Sequence, residues 1–250
     1  MSFGMTIEDG QIVSMQDGHM PNDFTGLDAS KSANPGVGDV YKATDTSKEY
    51  ACFVTNVWSL ISSPCYEEYN NHTATWNSFM SSTGSVLANY SNHRFDLNLI
   101  SVDDPAILDF NRSIFITTEP FELNMKVNNI SNGALGVGVQ GMYTDIGLGG
   151  GNVNVLVRSH TNSSNVTTWI FYTGNNAGSE STAIPDIVDN DLITFKNFGN
   201  IIMLYINGEL QSTHSIVDYS GQSAHPQVFI NGDGSDRTIS LDYIGWRIYK

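Results

Sequence analysis

L-I-T-F-K-N-F-G-N-I-I-M-L-Y-I-N-G-E-L-Q-S, residues 192–212, is the stretch that decides the fold. A strand with apolar residues at alternate places runs into a turn, and the apolar run 201–206 follows. Asn207-Gly208 then reverses the chain into a polar exit strand. Asn-Gly between apolar runs is the strongest short hairpin signal, because both residues tolerate positive φ.

The same reading extends outward. Phe95, Leu97 and Leu99 share one face of a strand, as do Ile114 and Ile116. Phe121, Leu123, Met125 and Val127 alternate with Glu122, Asn124 and Lys126. Leu135, Val137 and Val139 alternate with glycines, and Val153, Val155 and Val157 continue the pattern. Residues 238–250 form a long closing strand. A period of two marks half-buried antiparallel strands. Strands recurring every 8–12 residues or so predict an all-β antiparallel sandwich or barrel over residues 66–250.

Ahead of it, 39–65 reads as a small β-meander, too little chain for its own core. Residues 1–38 read as an extended arm, with 28–38 as a linker rich in Gly, Ser and Asn. Phe3, Ile7, Ile12, Val13 and Phe24 in that arm would need a partner surface.

Composition narrows function. Only 15% of residues are charged and the net charge is −15, so nucleic acid is not an expected partner. No apolar run reaches membrane-spanning length, so no membrane insertion is expected. The start MSFGMTIEDG has neither the basic nor the apolar region of a secretory signal. Two cysteines, Cys52 and Cys65, form no disulfide framework, and free thiols are favoured over one bridge. The six histidines are scattered and are expected at the surface.

Segments 121–127, 192–212 and 241–249 resemble strands of concanavalin A-like and laminin-G-like jelly rolls. That likeness implies a jelly-roll sandwich and says little of the ligand, because the fold hosts lectins, hydrolases and scaffolds. P-G-V-G-D-V-Y-K-A-T-D-T-S-K-E-Y at 35–50, closing on V-W-S-L-I at 57–61, resembles a short module of phage and virus structural proteins. There it precedes fibre, capsid-attached or adhesion domains.

The chemistry of the fold's glycosidases needs two carboxylates on one face, as in Glu-x-Asp-x-Glu. The chain has no such string. Glu67 and Glu68 are adjacent and Glu119 and Glu122 are three apart, so each pair would split across faces. A non-enzymatic chain is therefore expected. The glycine run 147–151 lacks a following helix or lysine and reads as a strand edge or bulge, not a phosphate loop. Two acidic loops can be weighed as calcium sites: Asp186, Asp189 and Asp191, and Asn231, Asp233 and Asp236. In both, a turn whose side chains bond their own backbone is favoured, and calcium stays open only at the second. Trp169, Tyr172 and Trp246 are the aromatic candidates for carbohydrate binding, against roles in the core.

The order of parts, with the two resemblances, implies a virion structural protein that decorates a capsid or sits at a tail or fibre. Its partners would be other virion proteins, further copies of itself and a host-surface glycan. The alternative is a carbohydrate-binding adhesion module of a cell-surface protein, which needs an export route.

Overall fold

In a computed structural model the chain is described at residues 5–8, 11–15, 21–71, 80–83, 85–89, 94–99, 106–110, 112–131, 142–150, 153–161, 166–175, 178–216, 219, 221–231 and 237–249. These residues hold strands and one short 3-10 turn, Asp28–Ser30, with no α-helix among them.

Two eight-stranded antiparallel sheets form a jelly-roll sandwich. The first sheet contains β7 (Cys65–Asn71), β9 (Ser85–Asn89), β10 (Arg94–Leu99), β13 (Phe121–Ser131), β18 (Leu192–Asn197), β19 (Ile201–Ile206), β20 (Glu209–Ser215) and β22 (Arg237–Tyr249). Its order is β20-β19-β18-β13-β22-β10-β9, with β7 also on β22. The second sheet contains β8 (Met80–Thr83), β11 (Ala106–Phe110), β12 (Ile114–Phe115), β14 (Met142–Gly149), β15 (Asn154–Thr161), β16 (Thr167–Asn175), β17 (Gly178–Ile184) and β21 (Ser223–Asn231). It runs β17-β16-β15-β14-β21-β11-β8, with β12 on β21.

The deciding hairpin is β19–β20, and Asn207 and Gly208 turn it at φ 52° and 85°. The three segments that resemble jelly-roll strands lie together as β19-β18-β13-β22. Alternation sets the faces: Phe121, Leu123, Met125 and Val127 are fully buried, while Glu122, Asn124 and Lys126 are half-buried on the other side. Phe195, Leu204, Ile239 and Leu241 meet Ile146, Val157, Phe171 and Val228 of the opposite sheet in one core. Burying each such side chain contributes about 1.5–3 kcal/mol before ordering costs. The expected strand at 134–140 lies outside the described residues.

A third sheet, β3-β4-β5-β6, is built from Asp23–Gly26, Val40–Ala43, Glu49–Val54 and Val57–Ser62. It corrects the boundary at residue 38, because β3 pairs in parallel with β4. The linker reading of 28–38 is corrected as well. Asp28 accepts hydrogen bonds from Tyr50 Oη at 2.7 Å and Lys48 Nζ at 3.3 Å, and it pairs with Lys31. Trp58 Nε1 donates to the Ser32 carbonyl at 2.9 Å. A buried Asp39 accepts from the Gly36 and Asn22 amides at 2.8 and 2.9 Å. These segments cover the small sheet. β1 (Met5–Glu8) and β2 (Gln11–Met15) form a separate hairpin.

The small sheet rests on the outer face of the first sheet, where Leu60 packs against Phe198, Ile201, Met203 and Tyr249. Cys52 is buried and Cys65 exposed, and no disulfide joins them.

Candidate functional site

The outer face of the second sheet gathers chemistry-bearing side chains. Residues directly opposite on antiparallel strands share a face, so the register defines its rows. Tyr172 stands beside Leu156, Leu156 beside Gly147, Gly147 beside Gln227 and Gln227 beside Asp109. In the next row Ile170 stands beside Arg158, then Asp145, Phe229 and Ile107. A third row has Asn154 beside Gly174, and Gly149 beside His225.

Glycines on this face make room for neighbouring side chains. A Cβ on Gly174 would collide with the Tyr172 hydroxyl, and one on Gly149 with the Gln227 amide. One on Gly150 would collide with the His225 imidazole. The Tyr172 hydroxyl and the Gln227 amide therefore lie down over β16 and β14, two strands apart. At about 4.8 Å per strand, that separates them by roughly 10 Å, the width of a sugar ring with its substituents.

The polar groups are held in place. Arg158 makes a bidentate pair with Asp145, both bonds 2.7 Å, and its guanidinium lies 5.0 Å from the centre of the Tyr172 ring. The Asp145 side chain is 5% exposed. Burial raises its pKa, with Arg158 and the charge of Arg237 acting in the opposite direction. Arg237 is fully buried and donates to Thr161 Oγ1 at 3.0 Å, tying the first sheet to the second. Burial lowers its pKa to about 10, with Asp145 opposing. His225 Nε2 lies 3.2 Å from Asp109 Oδ1, and both side chains are about a third exposed. An anchored guanidinium, a phenol, an amide and an imidazole–carboxylate pair thus share this outer face, with Leu156 buried beneath them.

The expected aromatic trio does not form one surface. Trp169 points into the core beside Phe171 and is 2% exposed. It also lines a cavity of about 400 Å³ with Ile130, Thr167, Asp186 and Asp189. Trp246 lies in the core from the other sheet, edge-on to Phe110 at 6.3 Å. Tyr172 alone belongs to the outer face. Three residues apart on β16, Trp169 and Tyr172 must face opposite ways, and that spacing was the signal in the sequence.

The first acidic loop is a turn. Asp191 accepts from the Val188 amide at 2.8 Å and from Asn207 Nδ2 at 2.7 Å, and Asp189 accepts from the Ile130 amide at 2.9 Å. No metal-binding group of acidic, histidine or cysteine side chains occurs among the described residues. Asp233 and Asp236 lie outside the described residues, and Asn231 is placed only as the last residue of β21.

The expectation of surface histidines fails at His214, which is 1% exposed. Gly147 and Gly149 sit within β14, and Gly150 follows it at φ 125°.

No family model matches the chain, and no curated protein does. Solved structures share its architecture. The alginate lyase AlyC3 superposes with a TM-score of 0.52 at 7% identity, over 66% of this chain and 78% of its own. LamAcat from Zobellia galactanivorans gives 0.47 at 10% identity, over 74% of this chain and 97% of its own. Botulinum neurotoxin type C, whose cell entry depends on two ganglioside molecules, gives 0.43 at 18% identity, over 78% and 45%.

The likeness to AlyC3 corrects the expectation of a non-enzymatic chain. A sandwich of this architecture serves a lyase. The missing pair of same-face carboxylates bears on glycoside hydrolysis and not on elimination chemistry.

Proposed function

We propose that this chain is a glycan-recognising surface protein of a virus particle. The sandwich binds a host-surface glycan across the outer face of its second sheet. The small sheet and the hairpin before it carry the sandwich on the particle, among other virion proteins and further copies of the chain. The observation that carries glycan recognition is the grouping on this face, where the Tyr172 phenol lies over Gly174, the Gln227 amide over Gly149 and the Arg158 guanidinium beside the Tyr172 ring. Ligand sites combine aromatic side chains with a few convergent hydrogen-bonding groups. Placement on a virion is supported by the order of parts and by the likeness of 35–61 to a module of phage and virus proteins.

The test is a glycan array probed with the full chain and with Tyr172→Ala. Binding that disappears in the variant while its thermal unfolding is unchanged supports the reading. Equal binding by both proteins refutes it. Immunogold labelling of purified particles tests the virion placement, which unlabelled particles would overturn.

One observation favours a second reading, that the face also acts on the glycan it holds. His225 with Asp109 and Tyr172 are groups able to exchange protons, and Arg158 offers a cation for a uronate carboxylate. Removing the proton next to that carboxylate and expelling the neighbouring glycosidic oxygen would leave an unsaturated sugar. Alginate, the substrate named for the lyase that shares the fold, is the first probe. A rise in ultraviolet absorbance from the new double bond supports this reading, and its absence on alginate and on other polyuronates sinks it.

A further inference from the structure

The geometry points to a second saccharide site, in the groove between the small sheet and the outer face of the first sheet, taking a neutral pyranose. It lies on the opposite side of the sandwich from the outer face of the second sheet and does not depend on it.

The groove encloses about 500 Å³, within the usual range for small-ligand sites. Its floor is the outer face of β13, β18 and β22, and its other wall comes from β5 and β6. Four aromatic side chains line it: Tyr205, Tyr249 and Phe198 from the sandwich, and Phe53 from the small sheet. Phe53 is the extra residue of a bulge, since Cys52 pairs with Trp58 and Val54 with Val57. Bulges re-aim side chains, and this one presents a phenyl ring that is 42% exposed. An exposed ring held by a bulge near the half-buried Tyr205 is unfavourable in water and suits the C–H face of a sugar.

The polar groups complete the match. Glu122 accepts from Asn124 Nδ2 at 3.0 Å and pairs with Lys196 at 3.2 Å, and Tyr249 Oη lies 3.4 Å away. Burial alone would raise the pKa of Glu122, but Asn124, Lys196 and Arg247 outweigh it and lower it. The carboxylate thus stays ionised, as an acceptor for sugar hydroxyls. Arg247 reaches Tyr249 Oη at 3.5 Å and Glu68 at 3.4 Å, both long for charge-assisted bonds. A guanidinium has five N–H donors and an ammonium three, so both cations have capacity beyond these contacts. Glu122 and Glu68 together balance Lys196 and Arg247, so the site has no net charge for an ionic ligand to neutralise. Hydroxyl groups, each both donor and acceptor, fit this mixture.

The experiment uses the full chain with methyl glucoside, lactose and chitobiose. Saturation-transfer NMR reads contact with the ring C–H protons, and calorimetric titration reads affinity. At least one probe should bind. Phe53→Ala and Tyr205→Ala should each weaken that binding about tenfold or more, while Val166→Ala, an exposed side chain in neither site, leaves it unchanged. Phe53 is exposed, so its loss is tolerated by the fold, and unaltered thermal unfolding verifies that. The proposal is overturned if none of the three probes shows transfer, if Phe53→Ala and Tyr205→Ala bind as the parent does, or if only Tyr172→Ala loses binding. It is also overturned if Phe53→Ala changes only the sedimentation of the protein, which would make the groove a protein interface.

Discussion

Lowering the pH should loosen the sandwich at the edge where β20 meets β16 and β17, through His214. This residue belongs to β20 at the edge of the first sheet, and its ring is bonded by the second. Nδ1 lies 3.0 Å from Thr173 Oγ1 and Nε2 lies 2.9 Å from Thr182 Oγ1. The imidazole stacks on Phe171 with centroids 4.1 Å apart and planes 21° apart. Burial lowers the pKa of His214, and the nearby Glu180 only partly offsets that. The folded state therefore favours neutral imidazole, while the unfolded chain takes up a proton near pH 6.5. The contribution of His214 is fully present above that value. It is lost as pH falls from about 6.5 towards the lowered folded pKa, at up to about 1.4 kcal/mol per pH unit. For a chain of this size each kcal/mol moves the melting temperature by about 2–4 °C. One pH unit inside the window should thus lower it by about 3–6 °C. The assay is thermal unfolding by circular dichroism at steps between about pH 7 and pH 5.5, on the parent and on His214→Gln. Glutamine keeps an amide for the threonines and cannot titrate. The two curves should converge as pH falls. Parallel curves across the whole range would refute the reasoning.

Trp246→Ala should destabilise by about 3–5 kcal/mol through the cavity it leaves, seen in denaturant unfolding, with glycan binding unchanged in the folded fraction. Tyr172→Ala should do the reverse, and its glycan titration and melt together verify it. Asp28→Asn should make residues 21–62 sensitive to limited proteolysis while the sandwich core resists. The carboxyl of Asp28 is pushed up by burial but brought down to about 2 by Lys31, Tyr50 and Lys48. Its stabilising effect should therefore be present above about pH 4 and vanish towards pH 2. A disulfide-exchange reagent should label Cys65 quickly and Cys52 slowly, since burial raises the Cys52 pKa and shields its sulfur; equal rates would contradict the placement of Cys52.

The sandwich was legible because alternation is a local property. Phe121, Leu123, Met125 and Val127 announce their shared face without reference to any partner strand, and Asn207-Gly208 announces its turn. The boundary of the small sheet was not legible, because β3 joins β4 in parallel across a connection that reads as linker. Asp28, Lys31 and Ser32 are ordinary loop residues until Tyr50, Lys48 and Trp58 are folded beside them. A parallel pairing leaves no turn signal between its strands, and the charge knot that secures it joins residues about twenty apart.

The candidate face was hidden for a related reason. Strand order across a sheet is not written in any one strand. Arg158 and Asp145 sit thirteen residues apart, and His225 and Asp109 more than a hundred. Only the order β16-β15-β14-β21-β11 brings Tyr172, Arg158, Asp145, His225 and Asp109 to one surface. The glycines of 147–151 did carry a signal, though a different one from the edge or bulge expected of them. Glycine costs a strand entropy and packing, so Gly147 and Gly149 inside β14 imply that something must approach its backbone. Here the Val155 carbonyl and the Leu156 backbone of β15 approach Gly147, and the Gln227 amide of β21 approaches Gly149. A glycan on this face would lie on the Tyr172 ring and the Gln227 amide that cover Gly174 and Gly149. Displacing Tyr172 from its place over Gly174 is accordingly the sharpest way to separate binding from folding. Gly174 lies under the flexible end of Tyr172 and has no positive φ to protect. Gly174→Ala should swing the phenol away and weaken glycan binding, with a smaller effect on stability than any core truncation.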